Sequence, residues 1–381
     1  MALSTKIFGT GTMRSGGSLV ANILSLSNKT KVFTDIIYFA RHIYKRNLNL
    51  KNLNELFFIS NEISNRIFFR NNVYIPANNF YYNFLNSKIE NYSDLYDSII
   101  LTFLKNTSQN NKKKIILENS NGEWRFIDKF LNMNKKYKAI HVIRDPRAII
   151  SSFKKITFGK GYEYLFPIFN WMDSFNYYLK YKKKYNCNRY LFLQFENLHN
   201  QPDLNVKKIL SFANLKFNKK YLLNSFWKKK LTENKEYVNF SAYDKNKKYG
   251  FDSKRINNWK SNLENWEISL IQNLLGKAMK ELSYNNIDLK NDKKLFKKGL
   301  KNIRSVPKFK QRLNNLLKFN EGTYLRFNDP RNHFNWSSSY DPRKKFVHDK
   351  EYKFFLNNVK IIKDLRNKMI INKKKSNNAK N

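Results

Sequence analysis

The sequence predicts an α/β three-layer sandwich: a mostly parallel central sheet flanked by helices, followed by a C-terminal accessory segment. Three observations predict it. Short apolar runs alternate with stretches of helical spacing over most of the chain, the pattern of a parallel sheet covered on both faces. The first of these runs leads through a glycine-rich loop straight into an apolar helix. The alternation stops near residue 290, where the composition turns basic.

In chain order, Lys6–Thr10 (KIFGT) reads as a strand, GTMRSGG as a loop and Ser18–Ser27 (SLVANILSLS) as a helix. Residues 35–105 are rich in Phe, Tyr, Ile and Leu at mixed helical spacing, which predicts helices packed on a sheet. Ile115–Glu118 (IILE) is a second strand. Ala139–Ile143 (AIHVI) is a third, running into RDPR and then a helix over Ala148–Lys155. Tyr190–Phe195 (YLFLQF) is a fourth, followed by helices over Leu204–Ala213 and Trp266–Leu282. No internal repeat is visible. The expected division is a phosphate-loop domain over 1–290 and a basic, partly helical segment over 291–381. Within the latter lie an aromatic, turn-rich stretch at 319–346 and a tail, KKKSNNAKN, whose composition predicts disorder.

The 381 residues are 41% hydrophobic, enough for a large domain with a core. A single cysteine, Cys187, rules out a disulfide framework and removes any demand for an oxidising compartment. No apolar run approaches the ~20 residues of a membrane span. The N-terminus, MALSTKIFGTGT, lacks the apolar core of a signal peptide, so a cytoplasmic protein is expected. The net charge of +44 invites a nucleic-acid reading. The lysines, however, are scattered in KK and NK pairs without an arginine-rich block. Lys, Asn, Ile, Phe and Tyr, all encoded by A/T-rich codons, are abundant together, so compositional drift explains the charge. No specific nucleic-acid partner is expected, although the charge favours anionic small molecules, most strongly at low salt. Nothing in the sequence sets an oligomeric state.

The loop carries the chemistry. A Walker A loop, G-x-x-x-x-G-K-[ST], cradles phosphate with backbone N–H groups, reaches the β/γ-phosphates with its lysine and binds magnesium with its hydroxyl. Here Gly11, Gly16 and Ser18 stand in place, but Gly17 occupies the lysine position. The loop keeps the means to hold one phosphate at a helix N-terminus and lacks the cation that bridges a triphosphate. Its positive charge sits at Arg14. The alternative is a glycine-rich turn without a ligand. A second cluster follows in AIHVIRDPRAIISSFKK, where Arg144 ends a strand and Ser152 stands eight residues later on a helix. Arginine with a hydroxyl suits a lone phosphate dianion; the alternative pairs Arg144 with Asp145 as a turn staple.

RSGGSLVANIL resembles the 5′-phosphosulfate loop of the sulfotransferase family, and VIRDPRAIISS resembles its 3′-phosphate motif. YLFLQFENLHNQP and SKRINNWKSNLENWEISLIQNLLGKAMKELSY resemble, more weakly, two further family stretches in the same order, so the resemblance spans roughly residues 5–286. The arginine-type loop is most similar to tyrosylprotein sulfotransferases and their bacterial relatives.

The resemblance implies transfer of a sulfuryl group from 3′-phosphoadenosine 5′-phosphosulfate (PAPS) to a hydroxyl or amine of a carbohydrate, lipid or other small acceptor, with no metal required. It implies that the amides of Ser15, Gly16, Gly17, Ser18 and Leu19, with the Ser18 hydroxyl, hold the 5′-phosphosulfate. Arg14 would stabilise the transferring group, while Arg144 and Ser152 would hold the 3′-phosphate. A general base takes the acceptor's proton; in the arginine-type relatives an acid follows the loop by about twenty residues, and Asp35 falls at that place. Asp35 also reads as an N-cap for the apolar run after it. His42 and Glu118 are the other base candidates, and His141, mid-strand, reads as a packed core histidine. Relatives carry a lysine after the acid ending the second strand, where this chain has Asn119. They carry a basic residue before the tryptophan, where it has Asn258 before Trp259; Lys254 and Arg255 are the nearest replacements as cofactor contacts. The acceptor pocket is expected from the aromatic region 36–105 and from Phe158–Trp171. The competing readings are a P-loop kinase-like enzyme and a non-catalytic polyanion-binding protein.

Overall fold

The structure is a computed structural model that describes residues 5–44, 48–71, 73–107, 114–157, 161–233, 250–311 and 313–314. Its elements run β1 (Thr5–Gly11), α1 (Gly17–Ser25), β2 (Thr30–Thr34), α2 (Phe39–His42), α3 (Leu53–Asn71), α4 (Ala77–Asn86), α5 (Tyr92–Asn106), β3 (Ile115–Asn119), α6 (Ile127–Met133) and β4 (Lys138–Ile143). They continue as α7 (Pro146–Ile156), α8 (Pro167–Lys184), β5 (Tyr190–Gln194), α9 (Phe195–Asn200), α10 (Pro202–Phe212), α11 (Asn224–Glu233), α12 (Lys254–Asn257), α13 (Trp259–Asn262), α14 (Asn265–Glu281) and α15 (Asp292–Arg304). Two compact units result, one from the described residues up to Thr34 and beyond 113, the other from those between Asp35 and 112.

The first unit is built on a parallel five-stranded sheet in the order β2-β3-β1-β4-β5. Every residue of β1 is buried, which is why its sequence shows no polar alternation. One sheet face presents Ile7, Leu117, Ile140, Val142, Leu191 and Leu193 to α1 and α10. On the other face Phe8 stacks on Phe130 of α6 at 5.1 Å, and Ile143 joins a second core with α7, α8 and α14. The sandwich expected from the sequence is therefore present. The extra strand is β2, TKVFT, which pairs only with β3 and lies at the sheet edge. An edge strand with two apolar residues in five carries too little pattern to be read beforehand.

Phe195 begins α9 instead of closing β5. Helix α7 begins at Pro146, two residues before the expected start, because proline suits the first helical position and Asp145 caps it by accepting from Arg147 N–H. Helix α15 packs on α14 closely: a Cβ on Gly299 would stand 2.8 Å from Leu270 Cβ. Ile303 and Val306 are buried there.

The second unit is helical over its described residues. Phe80, Phe84 and Tyr96 are buried in it, and Asn91 with Asp94 closes a capping box on α5. The helices expected within 35–105 are present as α2, α3, α4 and α5. No helix among the described residues is long and apolar enough to cross a membrane. Phe158, the stretch 319–346 and the C-terminal tail lie outside the described residues.

Candidate active site

Parallel strands place all their carboxyl ends on one edge of the sheet. From neighbouring β1 and β4 the chain leaves in opposite directions, β1 toward β2 and β4 toward β5. This is a topological switch point, the place where α/β sheets open a crevice for ligands. Two segments flank it: Thr12–Gly16 after β1, and Arg144–Asp145 after β4.

The first segment is wound by two left-handed residues, Arg14 (φ 70°) and Gly16 (φ 106°). Ser15 N–H donates to Thr12 C=O at 3.1 Å, closing the turn. Gly16 precedes α1 without any side-chain cap. Leu19 N–H also donates to a backbone carbonyl, that of Gly16 at 2.9 Å, so of the five amides expected to face an anion those of Ser15 and Leu19 are engaged within the loop. The amides of Gly16, Gly17 and Ser18 are left to an anion, favoured further by the helix dipole. Glycine at 16 is required twice over, by its φ and because a Cβ would lie 2.4 Å from the Phe195 ring. At Gly17, where an NTPase lysine would stand, a Cβ would meet Asn119 Oδ1 at 3.1 Å and Asn121 Oδ1 at 3.2 Å. The turn after β3 thus crowds that position, and Ser120 and Gly122 N–H groups tie it to Gly9 and Gly11 carbonyls at 2.8 and 2.9 Å.

The second segment meets the first. Arg144 donates from Nη1 to Arg14 C=O at 3.2 Å and from Nη2 to Arg255 C=O at 2.7 Å. Its guanidinium lies 4.1 Å from the Phe195 ring centroid, and Trp171 Nε1 donates to its carbonyl at 2.8 Å. Burial, opposed by Glu196 and reinforced by the nearby Arg14 charge, lowers its pKa to about 10. Arg14 in turn donates from Nε to Ser152 Oγ at 2.8 Å. Arg14, Arg144 and Ser152, spread over 138 residues of sequence, thus form one hydrogen-bonded cluster. The turn-staple alternative for Arg144 is not what the structure holds: Asp145 pairs with Arg147 at 2.7 Å, and Arg147 lies 4.0 Å over the Trp259 ring.

Other expected residues fall as follows. Arg255 joins the cluster through its carbonyl while its side chain stands 3.6 Å from Asp252. Lys254 is exposed beside it, and Ser18 sits half-buried in the first turn of α1. Asp35 follows β2 directly, in the left-handed region (φ 53°), and accepts from Tyr38 Oη at 2.9 Å. It does not cap α2, whose preceding residue is Tyr38. His42 ends α2. Glu118 is fully buried, in register with Phe8 and Phe33. His141 is a packed core residue, its ring nitrogens each 2.8 Å from Tyr190 Oη and Ser174 Oγ.

Sequence reasoning missed the supports. Glu196 accepts from Asp145 N–H at 3.0 Å and from Tyr284 Oη at 2.7 Å, locking the β4 turn to the end of β5. Phe195 is the platform for both Gly16 and Arg144. The one available signal was a carboxylate directly following an apolar strand. Two histidines are held neutral: burial depresses His141 to about 3, and burial with Arg255 and Arg144 depresses His199 to about 4. The unfolded chain, with histidine near 6.5, therefore binds more protons below that pH. Their contribution is complete above pH 6.5 and falls as pH drops toward 4; at pH 5 His141 alone costs about 2 kcal/mol. The melting temperature should fall steadily from pH 7 to 5, and a flat profile would contradict this assignment.

The chain matches the model of the sulfotransferase family over residues 6–219. The chain belongs to the sulfotransferase family. It is a sulfotransferase enzyme. No curated protein sequence matches it significantly. Among solved structures it is similar to the sulfotransferase domain of the Synechococcus PCC 7002 olefin synthase, at 17% identity over 76% of this chain and 98% of that one, with a TM-score of 0.47. The sulfotransferase domain of the curacin biosynthetic pathway gives 15% identity, 75% and 100% coverage and a TM-score of 0.44. Retinol dehydratase in complex with androsterone and the inactive cofactor PAP gives 13%, 76% and 84%, and 0.37.

Proposed function

We propose that this sulfotransferase takes its sulfuryl group from PAPS and passes it to a hydroxyl or amine of a carbohydrate, lipid or other small acceptor. One observation carries the reading: two arginines, Arg14 and Arg144, meet at the switch point beside an uncapped helix N-terminus. The fit to a doubly anionic donor is supported by buried polar atoms without a partner in that cluster, the Thr12 and Ser15 hydroxyls and Arg144 Nε. A buried donor left unmade costs about 1–3 kcal/mol, a cost that an anion removes.

When bound, PAPS supplies a sulfuryl group activated by its phosphate anhydride. The amides of Gly16, Gly17 and Ser18 and the Ser18 hydroxyl hold the 5′ end. Arg144 and Ser152 hold the 3′-phosphate, with Lys254 and Arg255 at its rim. Arg14 stabilises negative charge as it moves onto the leaving phosphate, with donors fixed before the reaction. Asp35 takes the proton of the acceptor, its carboxylate oriented by the Tyr38 hydroxyl.

The test is turnover of labelled PAPS against a panel of hydroxylated acceptors. Asp35→Asn, nearly isosteric, is expected to lower kcat by roughly 10²–10⁴-fold and leave PAP affinity unchanged. Unchanged turnover would remove Asp35 from the mechanism.

A further inference from the structure

Helix α15 carries a charge pattern that the donor site does not use. Nine of the 21 residues from Lys290 to Lys310 are basic, against 73 of 381 in the whole chain. Drift that scatters lysines evenly does not account for that local doubling. Lys293, Lys294, Lys297, Lys298, Lys301 and Arg304 are all exposed. At about 100° per residue they fall within an arc of ~140°, along ~17 Å of helix. The opposite arc is occupied: Leu295, Phe296, Leu300 and Ile303 pack into the core shared with α14. The segment's one carboxylate, Asp292, is turned to α14, accepting from Ser269 Oγ at 2.5 Å and from Asn273 Nδ2 at 2.9 Å. Lys298 lies 5.6 Å over the Trp266 ring. None of the six cations forms an ion pair among the described residues.

We propose that this face of α15 docks the protein on a bilayer surface rich in anionic phospholipid. The chemistry of the face selects that partner. A protein partner draws its affinity from apolar and aromatic anchors in a desolvated centre, and the exposed arc has none. Single-stranded nucleic acid needs aromatic platforms for its bases. Duplex readers rely on arginine forks, of which the arc holds one. Flexible lysines on long stems suit a headgroup layer, where negative charge is spread over a plane and the contact is Coulombic. Each lysine near such a surface multiplies partitioning by roughly five. The contact is peripheral, without apolar insertion, so salt weakens it. It is independent of the donor assignment.

Co-sedimentation of the full-length protein with lipid vesicles tests this. The wild type is expected to bind phosphatidylcholine vesicles containing about one-third phosphatidylserine at low salt. It should bind neither those vesicles at high salt nor pure phosphatidylcholine. Lys293→Gln, Lys297→Gln and Lys301→Gln combined should weaken binding roughly 10²-fold, at about fivefold per lysine. The control removes the same charge from the opposite face of the sheet. Lys208→Gln, Lys216→Gln and Lys229→Gln, all exposed on or between α10 and α11, should change binding by less than about threefold. Lys297→Gln alone, expected to weaken binding about fivefold, keeps the test decisive should the triple variant fail to fold. Equal losses in the two triple variants would assign binding to overall charge and overturn the proposal, as would no binding to anionic vesicles. Duplex DNA held more tightly than the vesicles, with the same loss in the α15 variant, would assign the face to nucleic acid and overturn it too.

Discussion

Arg14→Ala is expected to lower sulfuryl transfer by roughly 10³-fold, the usual cost of removing one preorganised charge stabiliser. The loss should fall on kcat, because Arg14 acts on charge that develops during transfer, while the amides of α1 continue to hold the ground state. PAP affinity should change by less than tenfold. The backbone at Arg14 is left-handed in either case (φ 70°), so the variant replaces one non-glycine residue with another and keeps the loop. Arg14→Lys retains charge without the planar fork and should recover only part of the activity. Steady-state kinetics beside PAP titrations check the split. Equal losses in kcat and PAP affinity would show Arg14 to be a binding residue alone.

Arg144→Ala is expected to weaken PAP by roughly 10²–10³-fold, as when one member of a desolvated charge pair is truncated. Its effect on AMP should be smaller, since AMP lacks the phosphate assigned to Arg144. Thermal stability should fall as well. Arg144 bridges the Arg14 and Arg255 carbonyls and covers the Phe195 ring, so its removal unties the segments after β1 and β4. The excess of the PAP effect over the AMP effect isolates binding from this structural loss. Equal effects on the two nucleotides would move the 3′-phosphate away from Arg144.

The fold was legible where strands were buried on both faces, because such strands are continuous apolar runs. KIFGT, IILE and AIHVI make the three central strands, and YLFLQ of YLFLQF makes the edge strand β5. β2 was not legible, because Lys31 and the threonines leave it only Val32 and Phe33 as apolar residues, whereas β5, equally an edge strand, keeps the run YLFL. The cluster was half legible. Arg14, Arg144 and Ser152 each sit in a short motif whose residue types suit phosphate. Their convergence follows from strand order, which no local pattern carries. Likewise, Asp145 could have paired with Arg144 or with Arg147, and only the helical geometry of α7, capped by Asp145, favours the latter. Glu196 and Phe195 escaped notice for the same reason. Each serves the site through contacts with residues 51 positions or more away.

The central claim is that the loop of Arg14 and the Arg144–Ser152 pair hold a 3′,5′-bisphosphorylated nucleotide. Thermal unfolding of the wild type and Arg144→Ala with PAP in EDTA, with ATP and magnesium, and with DNA at two salt concentrations tests it directly. PAP should stabilise the wild type without metal, by about 2.7 kcal/mol at a hundredfold excess over its Kd, and should stabilise Arg144→Ala by no more than about 0.4 kcal/mol at that concentration. Stabilisation by ATP with magnesium but not by PAP, or by DNA alone at low salt, would contradict it.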